Sequence, residues 1–98
     1  MMKNVTEIQT ALKPYMAKLK EEYQINRLGM FGSYVRNEQT SGSDLDLLVT
    51  FTSTPSLFKF IALENYLSDL LGVKVDLVME SALKPRIGKY IRKELVIL

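Results

Sequence analysis

The 98-residue sequence contains neither cysteine nor histidine. Without cysteine there can be no disulfide framework and no zinc–thiolate site. Without histidine, the commonest general base and metal-binding side chain is missing as well. Any chemistry must therefore be carried by carboxylates, hydroxyls, lysine, arginine and the backbone.

The sequence also lacks a strong charge of either sign and a long apolar run. Its thirteen basic and eleven acidic residues give a net charge of +2, which does not by itself favour nucleic-acid binding. No apolar run approaches the roughly 20 residues of a membrane span, and the first ten residues lack a signal-peptide core. We expect one cytoplasmic domain over residues 1–98, without membrane association or direct nucleic-acid binding.

Apolar periodicity and turn residues predict a domain of alternating helices and strands. Pro14 is expected to kink or break the first helix, and Thr54 with Pro55 is expected to cap and begin the second long helix. Residues 95–98 are too apolar for a free tail and are expected to dock as an edge strand. The predicted helices cover residues 5–23, 55–71 and 81–94, and the predicted strands cover residues 27–31, 44–51, 73–79 and 95–98.

The two later helices each show an apolar stripe. The stripe of the second helix comprises Leu57, Phe60, Ile61, Leu67, Leu70 and Leu71. The stripe of the last helix comprises Leu83, Ile87, Tyr90 and Ile91. The rest of the last helix is basic (Lys84, Arg86, Lys89, Arg92 and Lys93), which favours a solvated face over a surface for phosphate, an acidic partner or RNA.

The most informative stretch is GSYVRNEQTSGSDLD, from Gly32 to Asp46. Alternate residues of a strand share a face, so Asp44 and Asp46 project together while Leu45 and Leu47 point into the core. Two adjacent carboxylates repel each other unless a positive charge lies between them. A hard divalent cation fits this place, because Mg²⁺ usually takes one or two carboxylates together with phosphate oxygens of a substrate.

The Gly32–Ser33 turn could supply the phosphate-binding half of such a site. Glycine lets the backbone approach a ligand closely, and a turn or short helix over residues 33–37 would offer free N–H groups to phosphate. Arg36 lies within reach of the same phosphates, and its guanidinium suits bidentate contact. A plain strand-ending turn at Gly32 and a structural ion pair for Arg36 remain open as alternatives.

The Gly-Ser pair, ten intervening residues and the Asp-Leu-Asp triplet together resemble the signature of the nucleotidyltransferase superfamily that includes DNA polymerase beta. Over nearly its full length the chain resembles the minimal nucleotidyltransferase (MNT) antitoxins found beside HEPN-domain toxins. The matching segments are RLGMFGS, SDLDLLVTF, LGVKVDLV with Asp76, and ALKPRIGKYIRKE.

The resemblance implies an α/β (α+β) fold with a small mixed β-sheet of three to four strands and helices mainly on one face. It also implies that Asp44, Asp46 and Asp76 form the catalytic, metal-binding set for two Mg²⁺ ions, with Asp76 as the base. A charge at a strand edge or a pairing with Arg27 or Arg36 is the alternative for Asp76. The nucleotide-binding residues implied are Gly32, Ser33, Arg36 and Ser43.

The function implied is transfer of AMP from ATP to a tyrosine hydroxyl of a partner HEPN ribonuclease toxin, which silences the toxin. Two other functions remain open. A binding-only antitoxin would neutralise its partner without turnover, and a small-molecule nucleotidyltransferase, acting for instance on an aminoglycoside, would need a second subunit to complete its pocket. The short chain favours a macromolecular acceptor, because it leaves little room for a domain that closes over a small substrate.

Overall fold

The computed structural model describes residues 3–98, so residues 1 and 2 of the predicted domain lie outside the described part. Among the helices of that part there is none with the length and apolar character that crossing a membrane requires. The helices are α1 (Val5–Leu12), α2 (Met16–Tyr23), α3 (Leu57–Leu71) and α4 (Pro85–Glu94), and the strands are β1 (Ile25–Phe31), β2 (Leu45–Phe51), β3 (Val75–Met79) and β4 (Val96–Ile97).

The first helical segment is interrupted at Pro14, as predicted. A short 3-10 turn over Lys13–Tyr15 separates α1 from α2, because proline has no N–H to continue the α-helical ladder. The Asn4 side chain accepts a hydrogen bond of 2.9 Å from the Glu7 N–H and caps α1. After α2, Gln24 takes a left-handed conformation that turns the chain into β1.

The strands form one mixed sheet in the order β3-β2-β1-β4. β1 pairs antiparallel with both β2 and β4, whereas β2 and β3 run parallel. The predicted mixed sheet is confirmed, and the last residues supply an edge strand as expected. The parallel pair matters for the site, because it brings the beginnings of β2 and β3 to the same end of the sheet.

The main core lies on one face of this sheet. Leu45 and Leu47 are fully buried there, together with Val75 and Leu77 of the neighbouring strand. Leu95 packs on the opposite face, where a Cβ added to Gly29 would lie 2.7 Å from its Cδ1 atom. The helical residues of the main core are Ile8, Leu12, Leu19, Leu63, Leu67 and Leu71.

Two predictions about α3 are wrong. The helix begins at Leu57 after an N-cap at Ser56, whose Oγ accepts from the Lys59 N–H at 3.2 Å, so Thr54 is not the cap and Pro55 is not its first residue. The predicted stripe is also wrong for Leu57 and Ile61, which are 69% and 43% exposed. Its other members were predicted correctly, since Leu67 and Leu71 are buried and Phe60 and Leu70 pack against the core. The run LFKFIALENYLSDLL is apolar at too many positions for periodicity to select the buried face.

The last helix is shorter than predicted and buries fewer of its apolar residues. Glu80–Ala82 form a 3-10 turn and α4 begins at Pro85. Ile91 is buried, but Ile87 and Tyr90 are 51% and 66% exposed, so the predicted stripe is wrong for these two residues.

Candidate active site

Asp46 and Asp76 lie side by side at the beginning of the two parallel strands. Their Cα atoms are register partners between β2 and β3, flanked by the pairs Leu45–Val75 and Leu47–Leu77. Register partners share a face, and the flanking pairs are buried in the core, so the two carboxylates project from the opposite face. Asp46 is half-buried and Asp76 is exposed.

Asp44 precedes β2 by one residue and is half-buried. The three carboxylates interact electrostatically, and this interaction contributes to a raised pKa of Asp46. Burial, followed by repulsion from Asp76 and Asp44, raises the pKa of Asp46 to about 6 from an ordinary value of 3.8. A positive charge bound between these groups would relieve the repulsion.

The chemistry of the cluster suits Mg²⁺, which prefers carboxylate and phosphate oxygens. As the side chains stand, no three carboxylates among residues 3–98 are arranged to hold a metal ion. Mg²⁺ usually takes only one or two protein carboxylates and completes its shell with water and substrate phosphates. The residues therefore fit a metal that binds together with a nucleotide.

Gly32 follows β1 and lies directly beside Asp46. It has φ +82°, and an added Cβ would overlap the Oδ2 atom of Asp46. Both the backbone conformation and the neighbouring carboxylate therefore require glycine. The Gly32 carbonyl accepts from the N–H groups of Val35 and Arg36 at 3.1 and 3.2 Å, which closes a turn over residues 33–37.

Arg36 lies in this turn and is held by two carboxylates. Its Nε donates to Glu38 Oε1 at 2.8 Å, and its Nη1 donates to both Glu94 oxygens at 3.1 and 3.0 Å. The hydrogen bonds to Glu38 and then to Glu94 raise the pKa of Arg36 above its ordinary value. The guanidinium also opposes the rise in the Asp46 pKa, so it contributes positive charge to the carboxylate cluster.

The two serines of the predicted nucleotide site lie in different surroundings. Ser33 is half-buried in the turn, and its carbonyl accepts from the Glu38 N–H at 2.9 Å. Ser43 belongs to the loop before β2, where its Oγ accepts from the Thr40 N–H at 2.9 Å. Ser33 therefore belongs to the Gly32 turn, whereas the Ser43 hydroxyl is hydrogen-bonded within the loop before β2.

An open cavity of about 530 Å³ lies beside Asp44. This volume is within the range of small-molecule sites, and the lining is largely a polar loop. The lining residues are Tyr34, Thr40, Ser41, Gly42, Ser43, Asp44, Gly72, Val73 and Lys74.

Glu94 is the site residue that the sequence did not reveal. It ends α4, yet its carboxylate accepts from the Gly32 N–H at 2.9 Å and from Arg36. The two residues of the Gly32–Glu94 bond are 62 positions apart in the chain, and no local pattern relates them. This contact also confirms the structural ion pair that was left open for Arg36, with Glu94 and Glu38 as its partners and not Asp76.

The site combines adjacent carboxylates for Mg²⁺ with a glycine turn and an arginine whose N–H groups converge on one carboxylate. They are the parts that phosphoryl and nucleotidyl transfer needs, namely positioning and charge neutralisation at phosphate. The chain belongs to the nucleotidyltransferase domain family, whose model matches residues 13–98. It is therefore a transferase of the nucleotidyltransferase class.

Two curated relatives match almost end to end. A protein of Methanocaldococcus jannaschii, provisionally named a protein adenylyltransferase, is 51% identical over 96 residues and covers 97% of this chain and 98% of its own length. The protein adenylyltransferase MntA of Thermococcus cleftensis is 47% identical over 95 residues and covers 97% of this chain and 96% of its own length.

Solved structures share the fold. One provisionally described as a minimal nucleotidyltransferase has a TM-score of 0.77 and 35% identity, covering 93% of this chain and 95% of that one. A chain in the complex of a tri-AMPylated Shewanella oneidensis HEPN toxin with MNT antitoxin has a TM-score of 0.66 and 20% identity, covering 92% of this chain and 70% of that one. The second likeness bears on the fold alone.

Proposed function

We propose that this chain is an antitoxin that transfers AMP from ATP to a tyrosine hydroxyl of a HEPN toxin in the cytoplasm. The observation that carries the proposal is the register pairing of Asp46 with Asp76 beside the Gly32 turn. The names of the relatives support adenylyl transfer to a protein. The HEPN partner is supported by the structural neighbour in which an MNT antitoxin accompanies an AMPylated toxin.

The metal-binding role falls to Asp44, Asp46 and Asp76, one or two of which would contribute carboxylate oxygens to each Mg²⁺ ion, with phosphate and water oxygens supplying the other ligands. When bound, the metal supplies positive charge at the triphosphate and at the leaving pyrophosphate. The rise in the pKa of Asp46 supports this role, because carboxylates that repel one another gain most from a shared cation.

The remaining steps fall to other groups of the chain. The Gly32 N–H and the Arg36 guanidinium are the donors for phosphate oxygens. Asp76 is the exposed carboxylate of the set and takes the proton from the acceptor hydroxyl. The acceptor oxygen then bonds to the α-phosphorus, the bond from that phosphorus to its bridging oxygen breaks, and pyrophosphate leaves.

A labelling experiment tests this proposal. The chain is incubated with α-labelled ATP, Mg²⁺ and the HEPN protein of the adjacent gene, and label on the HEPN protein is followed. Asp44→Asn should abolish transfer, whereas Asp69→Asn on the exposed surface of α3 is the matched control and should preserve it. Mapping the label by mass spectrometry should find tyrosine.

A binding-only antitoxin is the alternative that the same experiment would identify. No transfer with wild-type protein, together with a tight complex that Asp44→Asn leaves intact, would contradict the catalytic proposal. Label on an aminoglycoside and none on the HEPN protein would instead support a small-molecule nucleotidyltransferase.

A further inference from the structure

The carboxylate of Glu94 occupies the anion-binding position of the Gly32 turn. One of its oxygens accepts from the Gly32 N–H at 2.9 Å, and both accept from Arg36 Nη1 at 3.1 and 3.0 Å. Only 17% of the Glu94 side chain is exposed. A backbone N–H and a guanidinium converging on one carboxylate form the donor set that would otherwise bind a phosphate.

This contact has an electrostatic cost. Glu94 is close enough to Asp46 to contribute to the rise in the pKa of that residue, so its charge adds to an already acidic cluster. The positive charge of Arg36 acts in the opposite direction and lowers the pKa of Asp46. A ligand that brings its own cation would reduce the repulsion among these carboxylates.

We propose that Glu94 is an intramolecular competitor for the nucleotide phosphates and thereby sets nucleotide affinity. The inference rests on the proposed function, since it assumes that phosphate binds at the Gly32 turn. The Gly32 N–H carries a single hydrogen and cannot serve Glu94 and a phosphate together at full strength. Nucleotide binding therefore displaces the Glu94 carboxylate from Gly32 and Arg36.

The position of Glu94 lets this exchange happen without unfolding the C-terminal segment. Glu94 is the last residue of α4. Leu95 packs against Gly29, and Val96 and Ile97 pair with β1. These contacts hold the chain after Glu94 in place, so the carboxylate can leave the turn by side-chain rotation while β4 stays paired.

A brace between α4 and β1 is the competing explanation, and nucleotide affinity separates the two. Glu94→Gln keeps an oxygen that can accept from Gly32 but removes the charge that competes with phosphate. A competitor predicts tighter nucleotide binding in this variant, whereas a brace predicts unchanged or weaker binding. Glu80→Gln is the matched control, because it breaks the other ion pair of α4, the 2.9 Å contact with Arg92.

The test is calorimetric titration of wild type and both variants with AMP-PNP, an ATP analogue with an imido group in its β–γ bridge, in the presence of Mg²⁺ and without HEPN protein, so that no acceptor for AMP is present. Removal of a charge-assisted competitor should lower the Kd of Glu94→Gln by about tenfold, or ~1.4 kcal/mol. Glu80→Gln should bind as wild type does. Equal or weaker binding by a folded Glu94→Gln would overturn the inference while leaving the proposed function standing.

Failure of every protein to bind AMP-PNP would instead overturn the proposed function and the inference together.

A second experiment uses only the wild-type protein, so it tests the inference even if Glu94→Gln does not fold. Tripolyphosphate is titrated into the wild-type protein and amide resonances are followed by NMR. Joint shifts at Gly32 and at residues 94–95 are expected, and shifts confined to residues 32–36 would contradict displacement of Glu94.

Discussion

The two faces of strand β2 differ in how well their side chains are accommodated. Leu45, Leu47 and Val49 face the main core, where at most 1% of each is exposed. Asp46 lies between Leu45 and Leu47 on the other face, where burial and then repulsion from Asp76, Asp44 and Glu94 raise its pKa. A single strand therefore carries well-packed apolar residues on one face and repelling charges on the other.

The contrast is confined to one end of the sheet. Leu48 shares the face of Asp46 and yet is only 3% exposed, so this face becomes apolar again two residues along β2. The repelling carboxylates are thus held by a strand that is buried on both sides just beyond them. We infer that this packing compensates for the mutual repulsion of the carboxylates.

The largest expected effect is on the chemistry of the charged face. Asp76→Asn should slow AMP transfer by about a thousandfold, because an amide cannot take the proton from the acceptor hydroxyl. The fold should persist, since Asp76 is exposed. Single-turnover kinetics on labelled ATP measure the rate, and near-normal transfer by this variant would remove Asp76 from the role of base.

Next in size is a change on the apolar face of the same strand. Leu47→Ala should lower the free energy of unfolding by about 3 kcal/mol, because it leaves a cavity in the fully buried core. Urea denaturation measures this loss. A loss below about 1 kcal/mol would show that the core face is not the main source of stability.

Gly32→Ala changes the residue that follows β1, beside Asp46, and should affect both stability and nucleotide binding. The positive φ and the overlap with Asp46 predict a loss of about 2 kcal/mol in unfolding free energy. Nucleotide binding should weaken as well, since the turn must shift to admit the methyl group. Gly42→Ala is the control for stability and should be tolerated, because a Cβ added there would meet no atom within 4 Å beyond the adjoining residues.

Ser56→Ala should have a smaller effect that is limited to stability. The Ser56 hydroxyl caps α3 through the Lys59 N–H, and loss of such a cap costs about 1 kcal/mol. Thermal denaturation measures the change. Unaltered AMP transfer is expected, so reduced transfer at full folding would indicate that α3 affects the site directly.

The smallest effect concerns the pH dependence of stability. The folded-state pKa of Asp46 is raised from 3.8 to about 6, so its ionised form is disfavoured by folding. The resulting destabilisation is absent below pH 3.8 and complete above pH 6, so stability falls as pH rises through this range. Solvent screening at this half-exposed residue reduces the effect to a fraction of what the shift implies.

Asp46→Asn removes that destabilisation and should therefore raise the melting temperature slightly at neutral pH. The difference from wild type should disappear well below pH 3.8, where Asp46 is protonated in both the folded and the unfolded state. Melting curves at several pH values measure it. A difference that is independent of pH would assign the change to packing.

Much of this arrangement could be predicted from local sequence. The alternation of Asp44, Leu45, Asp46 and Leu47 fixed which side chains share a face, and Pro14 marked the helix break. Glu94 could not be predicted, because its contact with Gly32 depends on how α4 folds back over the sheet. The predicted start of α3 was wrong because the sequence offers two acceptable helix starts. One is Thr54 followed by Pro55, the other is Ser56, and only packing decides between them.

The central claim is that the charged face of β2 performs AMP transfer and the apolar face supplies stability. Measuring both properties on a single preparation of Asp46→Asn tests it most directly. The account predicts loss of AMP transfer to the HEPN protein with an unfolding free energy equal to or above that of wild type. Retained transfer, or loss of transfer that merely accompanies unfolding, would contradict it.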